Sequence, residues 1–225
     1  AKLSDQLAEK FASNGIASYR FAKRGFERPE EFLQQTAETL TQDAISALNL
    51  IKRRYPNTKI GIVGFSEGSL VGIMAASQNS VDGLFLISTL TRNFSEAIHY
   101  QFLEWPIQLI SNRLDIDQDG DISGSELVSL GKNAKLPLLG TGFQGIAWQD
   151  IDTNKNGSIS IENELLPAYK KAYADVKILL ESPNFARWYS SFINLPPIHE
   201  FTKKITAPVY LYHGLNDAQT SWSAV

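Results

Sequence analysis

Residues 60–70 read Ile60-Gly61-Ile62-Val63-Gly64-Phe65-Ser66-Glu67-Gly68-Ser69-Leu70, and this stretch decides the fold. The β-branched run Ile60 to Val63 predicts a short buried strand, and Leu70 to Ala76 opens a helix. Between them, Gly64-Phe65-Ser66-Glu67-Gly68 fits the spacing G-x-S-x-G. A chain that reverses from strand to helix within so few residues holds its central residue in a strained backbone conformation. Glycine is expected two positions to either side, where a side chain would collide with the neighbouring strand or helix. The strain lifts the Ser66 hydroxyl clear of the sheet. It also aims the backbone N–H of Glu67, at the positive end of the new helix, toward an oxyanion developing on a substrate. The competing reading is a plain glycine-rich strand–helix turn that binds phosphate. The elbow itself does not carry the dinucleotide spacing G-x-G-x-x-G.

Working outward, Leu3, Leu7 and Phe11 recur at helical spacing before Gly15, and Ile16 to Phe21 predicts a short strand. Leu40, Ala44, Leu48 and Ile51 form one face of a second helix. It closes on Lys52-Arg53-Arg54, which suits the negative end of a helix dipole, and Pro56 prevents its continuation. Further apolar strands are expected at Val81 to Ile87 and Ala207 to Tyr212. Alternation of this kind predicts an α/β fold, a parallel sheet with helices on both faces. The expected core spans residues 1–90 and 206–225. Residues 91–205 differ in character, carrying acidic glycine loops and many aromatics, among them Trp105, Trp148, Tyr169, Tyr173, Trp188 and Tyr189. They are expected to form a helical insert, or lid.

With these residues in view, the chain resembles the α/β-hydrolase superfamily, in particular bacterial enzymes of the serine aminopeptidase and esterase type. Gly64-Phe65-Ser66-Glu67-Gly68-Ser69 resembles their G-H-S-E-G-G elbow, and Tyr19 to Gly25 their R-x-D-x-R-G turn. Ser182-Pro183-Asn184-Phe185 and Pro208 to Asp217 resemble their return to the core sheet. Phe65, Ser69, Ala22 and Glu27 depart from the family pattern. The resemblance implies Ser66 as nucleophile, Asp217 as the orienting acid and the Glu67 N–H as an oxyanion donor.

A serine hydroxyl also needs a base. The resemblance places that histidine some tens of residues after the acid, so His99, His199 and His213 are poor substitutes and the base is expected outside this chain. The resemblance also implies a further strand between those at 16–21 and 60–63. The chain is therefore expected to be a fragment lacking the first strands and the catalytic histidine.

Asp115-Ile116-Asp117-Gln118-Asp119-Gly120-Asp121-Ile122-Ser123-Gly124-Ser125-Glu126 matches the EF-hand loop throughout. Calcium takes six to eight oxygens. Asp115, Asp117 and Asp119 would supply carboxylates and Asp121 its backbone carbonyl. Ser123 would act directly or through water, and Glu126 would close the site with two oxygens. The pattern repeats over residues 152–164, with Asp152, Asn154, Asn156 and Ser158 as candidate ligands. Position twelve of this second loop is Asn163, so Glu164 is expected as the closing acid, displaced by one residue. The bland alternative is an acidic surface turn.

The chain has 225 residues, a formal net charge of −3 and no cysteine, which gives no basic footprint for nucleic acid and excludes disulfides and thiolate metal sites. No run is long and apolar enough to span a bilayer. The expected function is carboxylic-ester hydrolysis through an acyl-enzyme, with calcium bound in the insert. Peptide or thioester hydrolysis is the nearest alternative, and a non-catalytic calcium-binding interaction module a more distant one. The expected partner is a small acyl substrate with a hydrophobic part, met by aromatics of the insert. A weak calcium site would suit a periplasmic or extracellular setting.

Overall fold

The computed structural model describes residues 3–90, 93–128, 135–136, 145–217 and 220–221. Helix α1 (Leu3–Ser13) comes first, and Gly15 follows it with φ 72°. Helix α2 (Ala37–Arg54) begins at a capping box in which Thr36 and Thr39 satisfy each other's backbone N–H groups. It ends on Lys52, Arg53 and Arg54, one residue before the Tyr55–Pro56 break. Strand β1 (Gly61–Phe65) runs directly into helix α3 (Glu67–Gln78), which is followed by strand β2 (Gly83–Ile87). The last strand, β7 (Val209–Tyr212), returns after the long interval.

These three strands form one parallel sheet in the order β1-β2-β7. Central β2 is the best buried, with Leu84 at 0% and Leu86 at 2% exposure. Ile73 and Ala76 of α3 pack on Leu84, Leu86 and Ile62, closing one face of the sheet. Each such buried aliphatic contributes about 1.5–3 kcal/mol.

Three expectations need correction. Ile16 to Phe21 is not a strand, because no neighbour among the described residues offers it a ladder, and Ile16, Tyr19 and Phe21 stay about half exposed. Strand β1 is not buried on both faces. Val63 and Phe65 alternate away from α3 and remain exposed. Helices on both faces are likewise not seen among the described residues, and β7 is exposed along its length as an edge strand.

Between β2 and β7 the chain is mainly helical: α4 (Phe94–His99), α5 (Trp105–Leu114), α6 (Gly124–Leu127), α7 (Trp148–Ile151), α8 (Leu166–Leu180), α9 (Ala186–Ile193) and α10 (His199–Thr202). Two short antiparallel strand pairs are interposed. Strand β3 (Asp121–Ile122) pairs with β6 (Ile159–Ser160), and β4 (Lys135–Leu136) with β5 (Ile146–Ala147). This region has its own apolar cluster, which includes Ile110, Ile122, Ile151, Ile159, Leu165 and Tyr169. A second cluster joins it to the sheet layer, bringing Phe94, Ile98, Val176, Tyr189 and Phe192 against Leu40, Leu70 and Met74.

Candidate active site and paired acidic loops

Ser66 sits between the last residue of β1 and the first of α3 with φ 52° and ψ −122°. A non-glycine residue in this region is strained, and the surrounding bonds hold it there. The Ser66 N–H donates to the Ile87 carbonyl across the sheet at 3.0 Å. The Ser66 carbonyl accepts from the Ser69 N–H at 2.8 Å and from the Ser69 hydroxyl at 2.5 Å. The Thr89 hydroxyl donates in turn to Ser69 at 2.7 Å, and both these residues are buried.

Gly64 is required where it stands. A Cβ there would lie 2.5 Å from the Gly68 carbonyl oxygen and 2.7 Å from the Ser69 Cα. Gly68 departs from expectation, since a Cβ on it would meet nothing within 4 Å among the described atoms. The tight approach is thus carried by the strand side of the turn alone.

The Glu67 N–H belongs to the first turn of α3, where no intrahelical acceptor exists. The Glu67 side chain is held from two directions. Lys23 Nζ forms an ion pair with its Oε2, and the Trp188 indole donates to its Oε1 at 2.6 Å. Sequence reasoning missed this contact. Trp188 is 121 residues away in the chain and carries no motif that pairs it with the elbow.

Asp217 follows β7 at its carboxyl end. All three strands are parallel, so Ser66 and Asp217 both follow strands at the carboxyl end of the sheet. They follow strands two ladder spacings apart, about 10 Å. The Asp217 side chain is 14% exposed, and its Oδ1 accepts from the Thr220 N–H at 3.0 Å. His213 Nε2 lies 3.9 Å from Asp217 Oδ2 and within 2.9 Å of the Thr220 carbonyl. His99 engages Glu104 at 2.9 Å, and His199 lies exposed beside Glu200 at 3.2 Å. Among the described residues no histidine hydrogen-bonds the Ser66 hydroxyl. Of the aromatics expected near a substrate, Tyr169 and Trp148 belong to the insert's own cluster and Tyr189 to the joining cluster. Trp188 reaches the elbow.

The acidic loops are built alike. Ile122 of β3 pairs with Ile159 of β6, and both are fully buried. Gly120 and Gly157 take φ 92° and 82°, as the sharp turn at loop position six demands. Asp115 accepts from the N–H groups of Asp119 and Gly120 at 3.1 and 3.2 Å. Asp152 accepts from those of Asn156 and Gly157 at 3.1 and 3.0 Å. Asp115, Asp117 and Glu126 bring carboxylate oxygens within 4.8 Å of one another. Asp119 and Asp121 are exposed, and Asp119 Oδ1 accepts the Asp121 N–H at 2.8 Å. In the second loop Asn154 and Asn156 accept from the N–H groups of Asn156 and Ser158 at 2.9 and 2.8 Å.

Glu126 accepts from the N–H groups of Ile116 and Ser123, both at 2.7 Å. Glu164, not Asn163, occupies the matching place, accepting from those of Thr153 and Ser160 at 2.8 and 3.0 Å. The extra residue is absorbed by a single π-helical turn, Ile161–Leu165. The Ile116 N–H, then the Ser123 hydroxyl and N–H, hold the Glu126 carboxyl below the usual carboxylate range. Burial pushes Glu164 up, but the Ser160, Asn154 and Thr153 donors outweigh it and leave its carboxyl below that range.

Residues 1–224 match the family described as serine aminopeptidase, S33, so the chain belongs to that family of α/β hydrolases. Among curated proteins it is similar to Esterase EstD of Thermotoga maritima, 25% identical over 101 residues. That match spans 44% of this chain and about a quarter of the relative, 24%. Among solved structures it is similar to a protein reported under LipS and LipT, two metagenome-derived lipolytic enzymes. The two are 18% identical with a TM-score of 0.37, and the likeness covers 94% of this chain and 77% of the other.

Proposed function

We propose that this S33-family chain contributes the nucleophile of a serine hydrolase acting on carboxylic esters. In this reading the Ser66 oxygen attacks the ester carbonyl while its proton passes to an imidazole base. The oxyanion is met by the Glu67 N–H, the alcohol leaves with the proton, and water then releases the acid from Ser66. Asp217 orients and balances the imidazolium. His99, His199 and His213 each engage partners other than the Ser66 hydroxyl. The observation that carries the reading is the backbone of Ser66, strained at the strand–helix junction at the same carboxyl end of the sheet as Asp217.

Ester rather than peptide chemistry draws support from the curated relative, which is named an esterase. Serine peptidase and thioesterase chemistry would use the same residues. The test is turnover of acyl p-nitrophenyl esters, aminoacyl anilides and acyl thioesters by the full protein and by Ser66→Ala. The expected result is ester turnover lost in the variant. Anilide turnover alone would move the reading to a peptidase.

The same proposal places calcium in the insert, formed by residues 91–205 as a lid on the core of residues 1–90 and 206–225. Loop one would offer Asp115, Asp117, Asp119, Asp121 and Glu126. Loop two would offer Asp152, Asn154, Asn156, Ser158 and Glu164. Oxygens gathered within 4.8 Å suit a hard cation bound at about 2.3–2.6 Å. Asn154 and Asn156 stand where loop one has aspartates, so loop two has fewer charges and the weaker expected affinity.

A further inference from the structure

We propose that Glu67 is a positioning residue whose side chain, clamped between Lys23 and Trp188, fixes the oxyanion-donating N–H carried by its own backbone. This inference rests on the serine-hydrolase reading and extends it.

The clamp joins three distant parts of the chain. Lys23 comes from the segment before α2, Glu67 from the elbow and Trp188 from α9. Trp188 is itself immobilised. Its ring meets Phe94 edge-on at 5.3 Å and Phe192 at 5.8 Å. Its carbonyl accepts from the Ser191 hydroxyl at 2.7 Å, and that hydroxyl accepts the Ala37 N–H at the start of α2 at 2.8 Å. An anchor fixed on so many sides gives the Glu67 side chain one position, and through it the Glu67 peptide.

A carboxylate on the residue after the nucleophile poses an electrostatic difficulty. Left free, its negative charge would oppose the charge developing on the substrate oxygen. The Lys23 ammonium cancels that charge, and the indole N–H holds the carboxylate in place. With Lys23 44% and Glu67 21% exposed, the ion pair adds little to stability, so its main consequence is geometric. The donor is then referenced to α9 of the insert as well as to the elbow.

The test measures the phosphonylation rate of Ser66 by a fluorophosphonate, per folded molecule of the full protein, in Glu67→Ala, Trp188→Phe, Lys23→Met and Lys23→Met/Glu67→Gln. Melting temperature and ester kinetics are recorded beside it. Displacing a donor slows reactions that load charge onto it, so Glu67→Ala and Trp188→Phe, which remove the clamp, should react about tenfold slower or worse. The loss should fall in kcat with KM nearly unchanged. Lys23→Met should be slower than the Lys23→Met/Glu67→Gln double variant, because the second change removes the uncancelled charge. Equal rates in wild type, Glu67→Ala and Trp188→Phe would overturn the proposal, whatever the melting temperatures. If Trp188→Phe fails to fold, Glu67→Ala and the Lys23 pair decide it. A wild-type protein that does not react at all would remove the hydrolase reading itself, which is a separate result.

Discussion

Glu126 and Glu164 occupy equivalent places in the two acidic loops, although Glu126 lies eleven residues after Asp115 and Glu164 twelve after Asp152. Each accepts the N–H of loop position two with one oxygen and that of position nine with the other. The π turn over Ile161–Leu165 brings the displaced acid back into register. The expectation for calcium follows directly. By calorimetric titration, Glu164→Ala should abolish binding at the second loop. Asn163→Ala, which changes the residue that counting alone would select, should leave it within a few-fold. The reverse pattern would show that the π turn does not set the ligand.

Calcium at the first loop should appear as stability, since a cation that binds only the folded chain raises it by mass action. At a hundred times its Kd the gain is about 2.7 kcal/mol. For a chain of this size that is about 5–10 °C in melting temperature. Glu126→Ala should lose most of the difference between calcium and chelator in a thermal scan. A wild-type melting temperature unmoved by chelator would end the calcium proposal.

Ile122 and Ile159, paired beside Asp121 and Ser160, link the loops, and both isoleucines are fully buried. Truncation of Ile122 to alanine leaves a cavity at that junction, at a cost of about 2–5 kcal/mol. Ile122→Val should cost about 0.5–1.5 kcal/mol. Urea denaturation of both variants checks the ordering, and equal losses would mean that the site collapses around the missing atoms.

The two elbow glycines should behave oppositely. Gly64→Ala forces a Cβ to 2.5 Å from a backbone oxygen, so severe destabilisation is expected, at least the ~1–3 kcal/mol of an overpacked core. Gly68→Ala meets open space inside a helix, where alanine is favoured by up to about 1 kcal/mol. Its melting temperature should stay the same or rise. A fall as large as that of Gly64→Ala would place an unseen neighbour against Gly68.

Much of this was legible in the sequence because it rests on local rules. The elbow needs glycine before a strained serine, and the acidic loops need oxygens at fixed positions with glycine at the sixth. Those patterns anticipate the strained turn at Ser66 and the hydrogen-bonded place of Glu164 in its loop. Features that depend on what lies alongside were less legible. Ile16 to Phe21 has strand composition, but a strand is a relation to a neighbour, and none is present among the described residues. Val63 reads as buried within the run Ile60 to Val63 for the same reason, yet α3 covers the opposite face. The π turn leaves no signature beyond the one-residue shift, and nothing in the sequence ties Trp188 to Glu67.

The most direct test is reaction of the full protein with a fluorophosphonate, followed by mass-spectrometric mapping of the adduct. One phosphonyl group on the peptide containing Ser66, absent in Ser66→Ala, is the result expected from an activated oxygen at that elbow. An unmodified wild-type protein, or an adduct that persists in Ser66→Ala, would contradict the assignment of residue 66 as the nucleophile.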